Sequence, residues 1–292
     1  MFYGSATALV TPFTDDDRID YEQYGALIDW QIESGTAALV VLGTTGETPT
    51  ITDEEQREIM AFAIARVNKR VPVIVGTGSN ATAKAIKNTI LAQSLGADAA
   101  LVVNPYYNKS SQTGILKHYE AILAATDLPL ILYNVPSRTG SNLTPALVSK
   151  LKCHPRIVGI KQATNDLSEL VEMAMLCDDG FKLYCGNDDM ISAYLSLGAS
   201  GVISVASNVV PQRVSDLCKS HFSGNFHQAR QLQFELKPLV DDLFMVTNPI
   251  PVKAALSIMG RIKGNLRLPL YPLDQAEENR LRQTLERSGV IS

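Results

Sequence analysis

Eight short runs rich in apolar and β-branched residues recur along the chain, at 8–13, 38–43, 71–77, 99–105, 128–136, 157–164, 182–188 and 201–207. Most are apolar throughout instead of at alternate positions, the pattern of parallel strands covered on both faces. Their spacing of about 20 to 35 residues leaves room for one helix between successive strands. Several helix starts are marked: Thr52 precedes Asp53-Glu54-Glu55, Asn80 precedes an alanine-rich stretch, and Thr144-Pro145 puts proline at a first helical position. Eight β-then-α units predict an α/β chain folded as a closed (β/α)8 or TIM barrel. Beyond Ser207 the strand signal stops, and helical patterning continues over 209–222, 226–244, 251–259 and 274–288. One of these segments must close the barrel. A boundary at Gly224 divides the chain into a barrel, 1–224, and a C-terminal helical domain, 225–292.

The 292 residues are 46% hydrophobic and 19% charged, enough for a large core, with a formal net charge of -4. Acidic and basic residues are interspersed, so no face suited to nucleic acid or an anionic membrane is expected, and the partner is a small molecule. Cys153, Cys177, Cys185 and Cys218 show no C-x-x-C spacing. Reduced thiols in a cytoplasm fit best. The stretch 1–13 lacks a basic leader and runs into Asp15-Asp16-Asp17, so it reads as a first strand and loop, not a signal peptide. No apolar run approaches the roughly 18 residues needed to cross a bilayer.

Lys161 stands inside the sixth apolar run, Ile157-Val158-Gly159-Ile160-Lys161-Gln162-Ala163-Thr164. A lysine is rarely buried without a partner. Burial and a neighbouring cation both disfavour an ammonium and free the amine to attack a carbonyl carbon, which makes Lys161 a Schiff-base candidate. The plainer alternative is a strand that ends one residue earlier, with the amine in water.

In such barrels the chemistry gathers at the carboxyl ends of the strands. There the chain offers Gly43-Thr44-Thr45-Gly46-Glu47 after strand two and Asn104-Pro105-Tyr106-Tyr107-Asn108 after strand four. Strand five ends in Tyr133-Asn134-Val135-Pro136-Ser137-Arg138-Thr139-Gly140, and strand seven in Gly186-Asn187-Asp188-Asp189. Flanking glycines free the Thr44-Thr45 backbone to aim N–H groups at an anion. Each piece alone has a duller reading: Tyr133 as a packed aromatic, Arg138 as a surface ion-pair residue, 43–46 as a tight turn. Their joint placement at strand ends favours a site.

Other motifs fail. Gly76-Thr77-Gly78-Ser79-Asn80-Ala81 matches the dinucleotide pattern, yet it lies on the third βα unit, and the next strand ends in Asn104 instead of a ribose-binding carboxylate. There is no G-x-x-x-x-G-K-[ST] loop and no G-x-S-x-G elbow. His118, His154, His221 and His227 are scattered, against a metal-dependent aldolase. Cys185 reads as a buried structural thiol.

Together, Gly43-Thr44-Thr45-Gly46-Glu47, the 133–140 element and Gly159-Ile160-Lys161 resemble the dihydrodipicolinate synthase family, a likeness that runs from Met1 through Asn248-Pro249-Ile250-Pro251-Val252-Lys253 to the C-terminal helices. The resemblance implies a pyruvate-dependent class I aldolase on a (β/α)8 barrel, commonly a homotetramer built as a dimer of dimers, with no metal or organic cofactor. Its substrates would be pyruvate and L-aspartate 4-semialdehyde. By the same likeness Lys161 forms the imine, Thr44 and Thr45 hold the pyruvate carboxylate, and Tyr133, Thr44 and Tyr107 form a proton relay, Tyr107 reaching in from a neighbouring subunit. Arg138 would hold the semialdehyde carboxylate, and Gly186 and Ile203 would line the pyruvate pocket.

Arg138 also separates the synthase from related N-acetylneuraminate lyases and sugar-acid aldolases, which share the turn, the tyrosine and the lysine but usually lack this arginine. A non-catalytic binding barrel is a further alternative, opposed by the intact Thr44, Tyr133 and Lys161 set. In lysine-inhibited members an effector pocket holds an asparagine and a tyrosine that match Asn80 and Tyr106, with a glutamate where this chain has Lys84; Pro49, Asp53 and Gln56 differ as well. Weak or absent feedback by L-lysine is expected.

Overall fold

In the computed structural model, which describes residues 1–292, eight parallel strands close into a barrel in sequence order. They are β1 (Gly4–Ala8), β2 (Ala38–Val41), β3 (Val73–Gly76), β4 (Ala99–Val103), β5 (Leu130–Asn134), β6 (Ile157–Gln162), β7 (Lys182–Cys185) and β8 (Gly201–Ser204). The helices are α1 (Tyr21–Glu33), α2 (Asp53–Val67), α3 (Thr82–Leu95), α4 (Gln112–Ala125), α5 (Pro136–Thr139), α6 (Pro145–Leu151), α7 (Leu167–Ala174), α8 (Ile191–Ser196) and α9 (Pro211–Phe222). Three more follow the barrel: α10 (Phe226–Leu243), α11 (Ile250–Ile258) and α12 (Gln275–Arg287). The expected (β/α)8 barrel with a C-terminal helical region is what the chain forms.

The continuous apolar character of the strands follows from burial on both faces. Ala6, Ala38, Val40, Ile74, Ala99, Leu101, Ile131, Tyr133, Tyr184 and Ile203 fill the barrel interior. The alternate residues, among them Leu39, Val41, Val73, Val75, Ala100, Val102, Leu132, Ile160 and Leu183, pack outward into the layer shared with the helices. Closure needs glycine where β8 meets β1, because a Cβ on Gly201 would fall 1.9 Å from the Gly4 carbonyl oxygen. Phe2 stacks on Tyr184 with ring centroids 4.4 Å apart, and the Tyr184 hydroxyl donates to the Phe2 carbonyl at 3.0 Å.

The first strand lies earlier than the 8–13 run predicts. Ser5 and Thr7 make β1 look polar, yet Ala6 and Ala8 face the interior while Thr7 Oγ1 donates to Gln31 Oε1 of α1 at 2.6 Å. The apolar 9–13 stretch is instead a buried crossing, held by Asn208 Oδ1, which accepts the Val10 N–H at 3.2 Å, and by Lys253 Nζ, which donates to the Thr11 carbonyl at 2.9 Å. Thr52 caps α2 in a complete capping box with Glu55, and Thr144 caps α6, as their sequences predict. Asn80 does not cap α3: Ala81 holds the N-cap position with no side-chain bond. Between α9 and α10, Gly224 turns the chain at φ 82° and Asn225 caps α10. No helix is long and apolar enough to cross a membrane.

Candidate active site

β5 and β6 place the central pair. A bulge after Leu130 shifts the register so that Leu130 pairs with Ile157 but Ile131 with Gly159, which sets Tyr133 opposite Lys161. Ile160 faces the helices, so Lys161 faces the interior. It is 5% exposed, and its Nζ lies 4.6 Å from the Tyr133 ring centroid. The chain buries a second lysine, and the contrast is informative. Lys253 on α11 is salt-bridged to Glu47 at 2.5 Å with both side chains at zero exposure, whereas Lys161 has no carboxylate partner and opens onto a cavity.

That cavity, about 570 Å³, occupies the carboxyl mouth of the barrel. Thr44, Thr45, Tyr133, Arg138, Lys161 and Gly186 all line it. Val135 leads into Pro136 at the first position of α5, and Gly140, at φ 67°, ends that single turn. Arg138 is thereby held at the exposed rim, where its Nη2 donates to the Asn248 carbonyl at 3.1 Å. Gly186 is required by close approach, since a Cβ there would meet the Ala163 Cβ at 2.9 Å.

The threonine turn, Thr44–Gly46, is fixed from several sides. Thr48 Oγ1 donates to the Gly43 carbonyl and Thr11 Oγ1 to the Gly46 carbonyl, each at 2.8 Å. Asn248 Nδ2 donates to Thr45 Oγ1 at 3.1 Å. Glu47, at φ 57°, takes Lys253 on one oxygen and the Arg267 N–H on the other at 3.1 Å. Burial pulls the Lys253 ammonium down to about 8, while the Glu47 carboxylate works the other way.

Two of the predicted residues lie outside the cavity wall. Ile203 is fully buried in the interior layer and does not line it. Tyr107 is 90% exposed, with φ 69°, and does not line the cavity of its own chain. Asn80, Lys84 and Tyr106 come together in a second cavity of about 370 Å³ that shares Thr44, Tyr133 and Arg138 with the first. Lys84 Nζ lies 3.5 Å from Asp53 Oδ1, and Lys87 Nζ 2.8 Å from Asp53 Oδ2.

No sequence pattern marks Asn248, which links Arg138 to Thr45, or Asp188, which lines the cavity while buried. Asp188 Oδ2 accepts the N–H groups of Val205 and Ala206, both at 2.9 Å, and Oδ1 has no partner. Burial raises its carboxyl above the ordinary value, against the pull of those N–H groups, the nearby Ser204 hydroxyl and the Lys161 charge. An apolar helix carrying one lysine, Pro251-Val252-Lys253-Ala254-Ala255-Leu256, was the available signal for the Glu47 pair. Cys185 is buried, its thiol donates to the Asn187 carbonyl at 3.1 Å, and burial pushes it well above the usual thiol range. No group of three or more His, Cys, Asp or Glu side chains is placed to hold a metal ion.

A closed parallel barrel with an unpaired, buried lysine on the wall of its carboxyl mouth defines a class I aldolase-type lyase. The family model described as the dihydrodipicolinate synthetase family matches residues 1–288, and the chain belongs to that family. A 4-hydroxy-tetrahydrodipicolinate synthase of Clostridium novyi is 45% identical over 292 residues, covering 100% of this chain and 98% of the relative. Among solved structures, dihydrodipicolinate synthase from Thermotoga maritima is similar with a TM-score of 0.97 at 43% identity, covering 100% of both chains. The chloride-inhibited dihydrodipicolinate synthase from Acinetobacter baumannii, complexed with pyruvate, is similar with a TM-score of 0.97 at 42% identity, again over 100% of both chains.

Proposed function

We propose that this chain is a 4-hydroxy-tetrahydrodipicolinate synthase that condenses pyruvate with L-aspartate 4-semialdehyde through an imine on Lys161. The carrying observation is the buried, unpaired Lys161 amine 4.6 Å from the Tyr133 ring, on the wall of a cavity with Arg138 at its rim. The amine attacks the pyruvate keto carbon, and water leaves to give the imine. Loss of a methyl proton forms the enamine, the imine nitrogen accepting the electron pair. The enamine carbon attacks the aldehyde of the semialdehyde. The adduct's own amino group then adds to the imine carbon and expels Lys161, closing the ring of 4-hydroxy-tetrahydrodipicolinate.

Thr44 and Thr45 hold the pyruvate carboxylate, and Tyr133 and Thr44 carry protons between the reacting atoms and solvent. Arg138 holds the semialdehyde carboxylate with two parallel hydrogen bonds. Tyr107, exposed in the single chain, completes the relay from a neighbouring copy. The assembly is a homotetramer, supported by the apolar stripe Leu167, Val171 and Met175, exposed by 56%, 43% and 80% on and just beyond α7. Residues 1–224 form the catalytic barrel and 225–292 a helical domain that braces its mouth.

Borohydride treatment with pyruvate tests the reading. A mass gain that maps to Lys161 by peptide analysis is expected, and consumption of aspartate semialdehyde but not of N-acetylmannosamine. A label on another side chain, or none, would refute it. Sedimentation velocity reads the assembly, and a monomer at micromolar concentration would remove the tetramer and the Tyr107 role.

A further inference from the structure

Behind the Tyr133–Lys161 pair, on the side of the sheet away from the cavity, four polar side chains close a ring. Pairing of β5 with β6 sets Tyr133 opposite Lys161 and, one residue on, Asn134 opposite Gln162. Successive residues point to opposite faces, so the first pair enters the barrel and the second faces the helices. Asn134 Nδ2 donates to Asn142 Oδ1 at 2.6 Å and to Gln162 Oε1 at 3.0 Å. Asn142 Nδ2 donates to Glu169 Oε2, and Gln162 Nε2 to Glu169 Oε1, both at 2.6 Å.

The polarity of this ring is set. Asn134 Oδ1 accepts the Leu143 N–H at 3.0 Å, so its amide cannot turn round. The Glu169 carboxylate has only acceptors, one oxygen for each amide that reaches it. Asn134 and Gln162 have no exposure, so breaking the ring leaves a buried amide without a partner. Glu169 stands on α7, outside the cavity lining.

We propose that Glu169 is a positioning residue for imine chemistry: through Asn142 and Gln162 it locks the ends of β5 and β6, and so fixes Lys161 Nζ against Tyr133. This rests on the functional reading above. A ring that only stabilised the fold would change the melting midpoint and leave the rates of the folded enzyme alone. A positioning ring sets those rates, because small displacements of reacting groups are costly.

The experiment uses the full chain and reads kcat and the rate of borohydride-trapped imine formation, well below the melting midpoint. Glu169→Gln puts a second amide donor where an acceptor is needed. It is expected to slow both rates more than about threefold, with KM for either substrate within about twofold. Adding Gln162→Glu reverses one bond: the new amide at 169 donates to the new carboxylate at 162, whose other oxygen still accepts from Asn134. The double variant is therefore expected to be at least about threefold faster than Glu169→Gln. Glu169→Gln within threefold of the parent, or a double variant without that recovery, would overturn the proposal. If Glu169→Gln does not fold, Asn142→Ala breaks the ring at a half-buried member and is read against the same limit. Failure of the functional reading would show in the parent, which must first trap pyruvate on Lys161, whereas failure here shows only in the variants.

Discussion

Lys253 Nζ lies 2.5 Å from Glu47 Oε1 with both side chains sealed from solvent, and the pair ties α11 to the turn that carries Thr44 and Thr45. Lys253→Met leaves the Glu47 carboxylate buried with only the Arg267 N–H as a formal donor. Breaking one side of such a pair costs about 3–5 kcal/mol, whereas replacing both sides is often neutral. The variant should melt about 10 °C below the parent. Glu47→Gln added to Lys253→Met should recover most of the loss. Calorimetry decides it: a Lys253→Met midpoint within about 3 °C of the parent would remove the pair as a brace.

Arg138 reaches the rim from a one-turn helix and is oriented by the Asn248 carbonyl. Arg138→Ala should lower kcat/KM for the semialdehyde about a hundredfold, while pyruvate trapping on Lys161 proceeds at near the parent rate. Arg138→Lys restores the charge without the paired donors and should recover only part of the loss. If Arg138→Ala abolished trapping as completely as Lys161→Ala, the arginine would belong to the imine step instead.

The barrel was legible because burial on both faces writes itself into each strand as an unbroken apolar run, and Lys161 was legible because it interrupts one. Tyr133, Arg138 and the threonine turn followed from their places at strand ends. β1 lies earlier than the apolar run for the converse reason: its small alanines face the interior and its Thr7 bonds α1, while the apolar 9–13 stretch is buried by C-terminal elements that no local pattern reveals. The Glu47–Lys253 pair spans 206 residues of sequence and depends on how the helical region folds back. The Asn134, Asn142, Gln162 and Glu169 ring was unreadable because it needs the β5–β6 register, which the bulge at Leu130 sets. Tyr107 follows strand four in the sequence, but its expected place is in a neighbouring copy's site, and in the single chain it is exposed.

Lys84 lines the second cavity with Asn80 and Tyr106. Its ammonium lies 3.5 Å from Asp53, a carboxylate that Lys87 holds more closely at 2.8 Å, so the Lys84 charge facing the cavity is only partly offset. A cationic amino acid entering here meets like charge. Turnover should be unchanged within about 10% in roughly 10 mM L-lysine, and Lys84→Glu should introduce saturable inhibition. Saturable inhibition of the parent would show that the cavity accepts the cation despite Lys84.

Asp188 supplies a prediction in pH. Its buried carboxyl has one oxygen held by two N–H groups and the other unpaired, and burial raises its folded value above the roughly 3.9 of an unfolded chain. Between those two values the folded state binds more protons than the unfolded state, so this group's contribution to stability falls as pH rises. Below the unfolded value the charge penalty is absent, and above the folded value it is fully present. Asp188→Asn keeps an acceptor for the Val205 and Ala206 N–H groups and does not titrate. The melting midpoint of Asp188→Asn minus that of the parent should therefore grow as pH rises from about 4 and then level off. A difference that stays constant from about pH 4 to 8, or shrinks, would mean that the Asp188 carboxylate is solvated or paired in solution and carries no burial penalty.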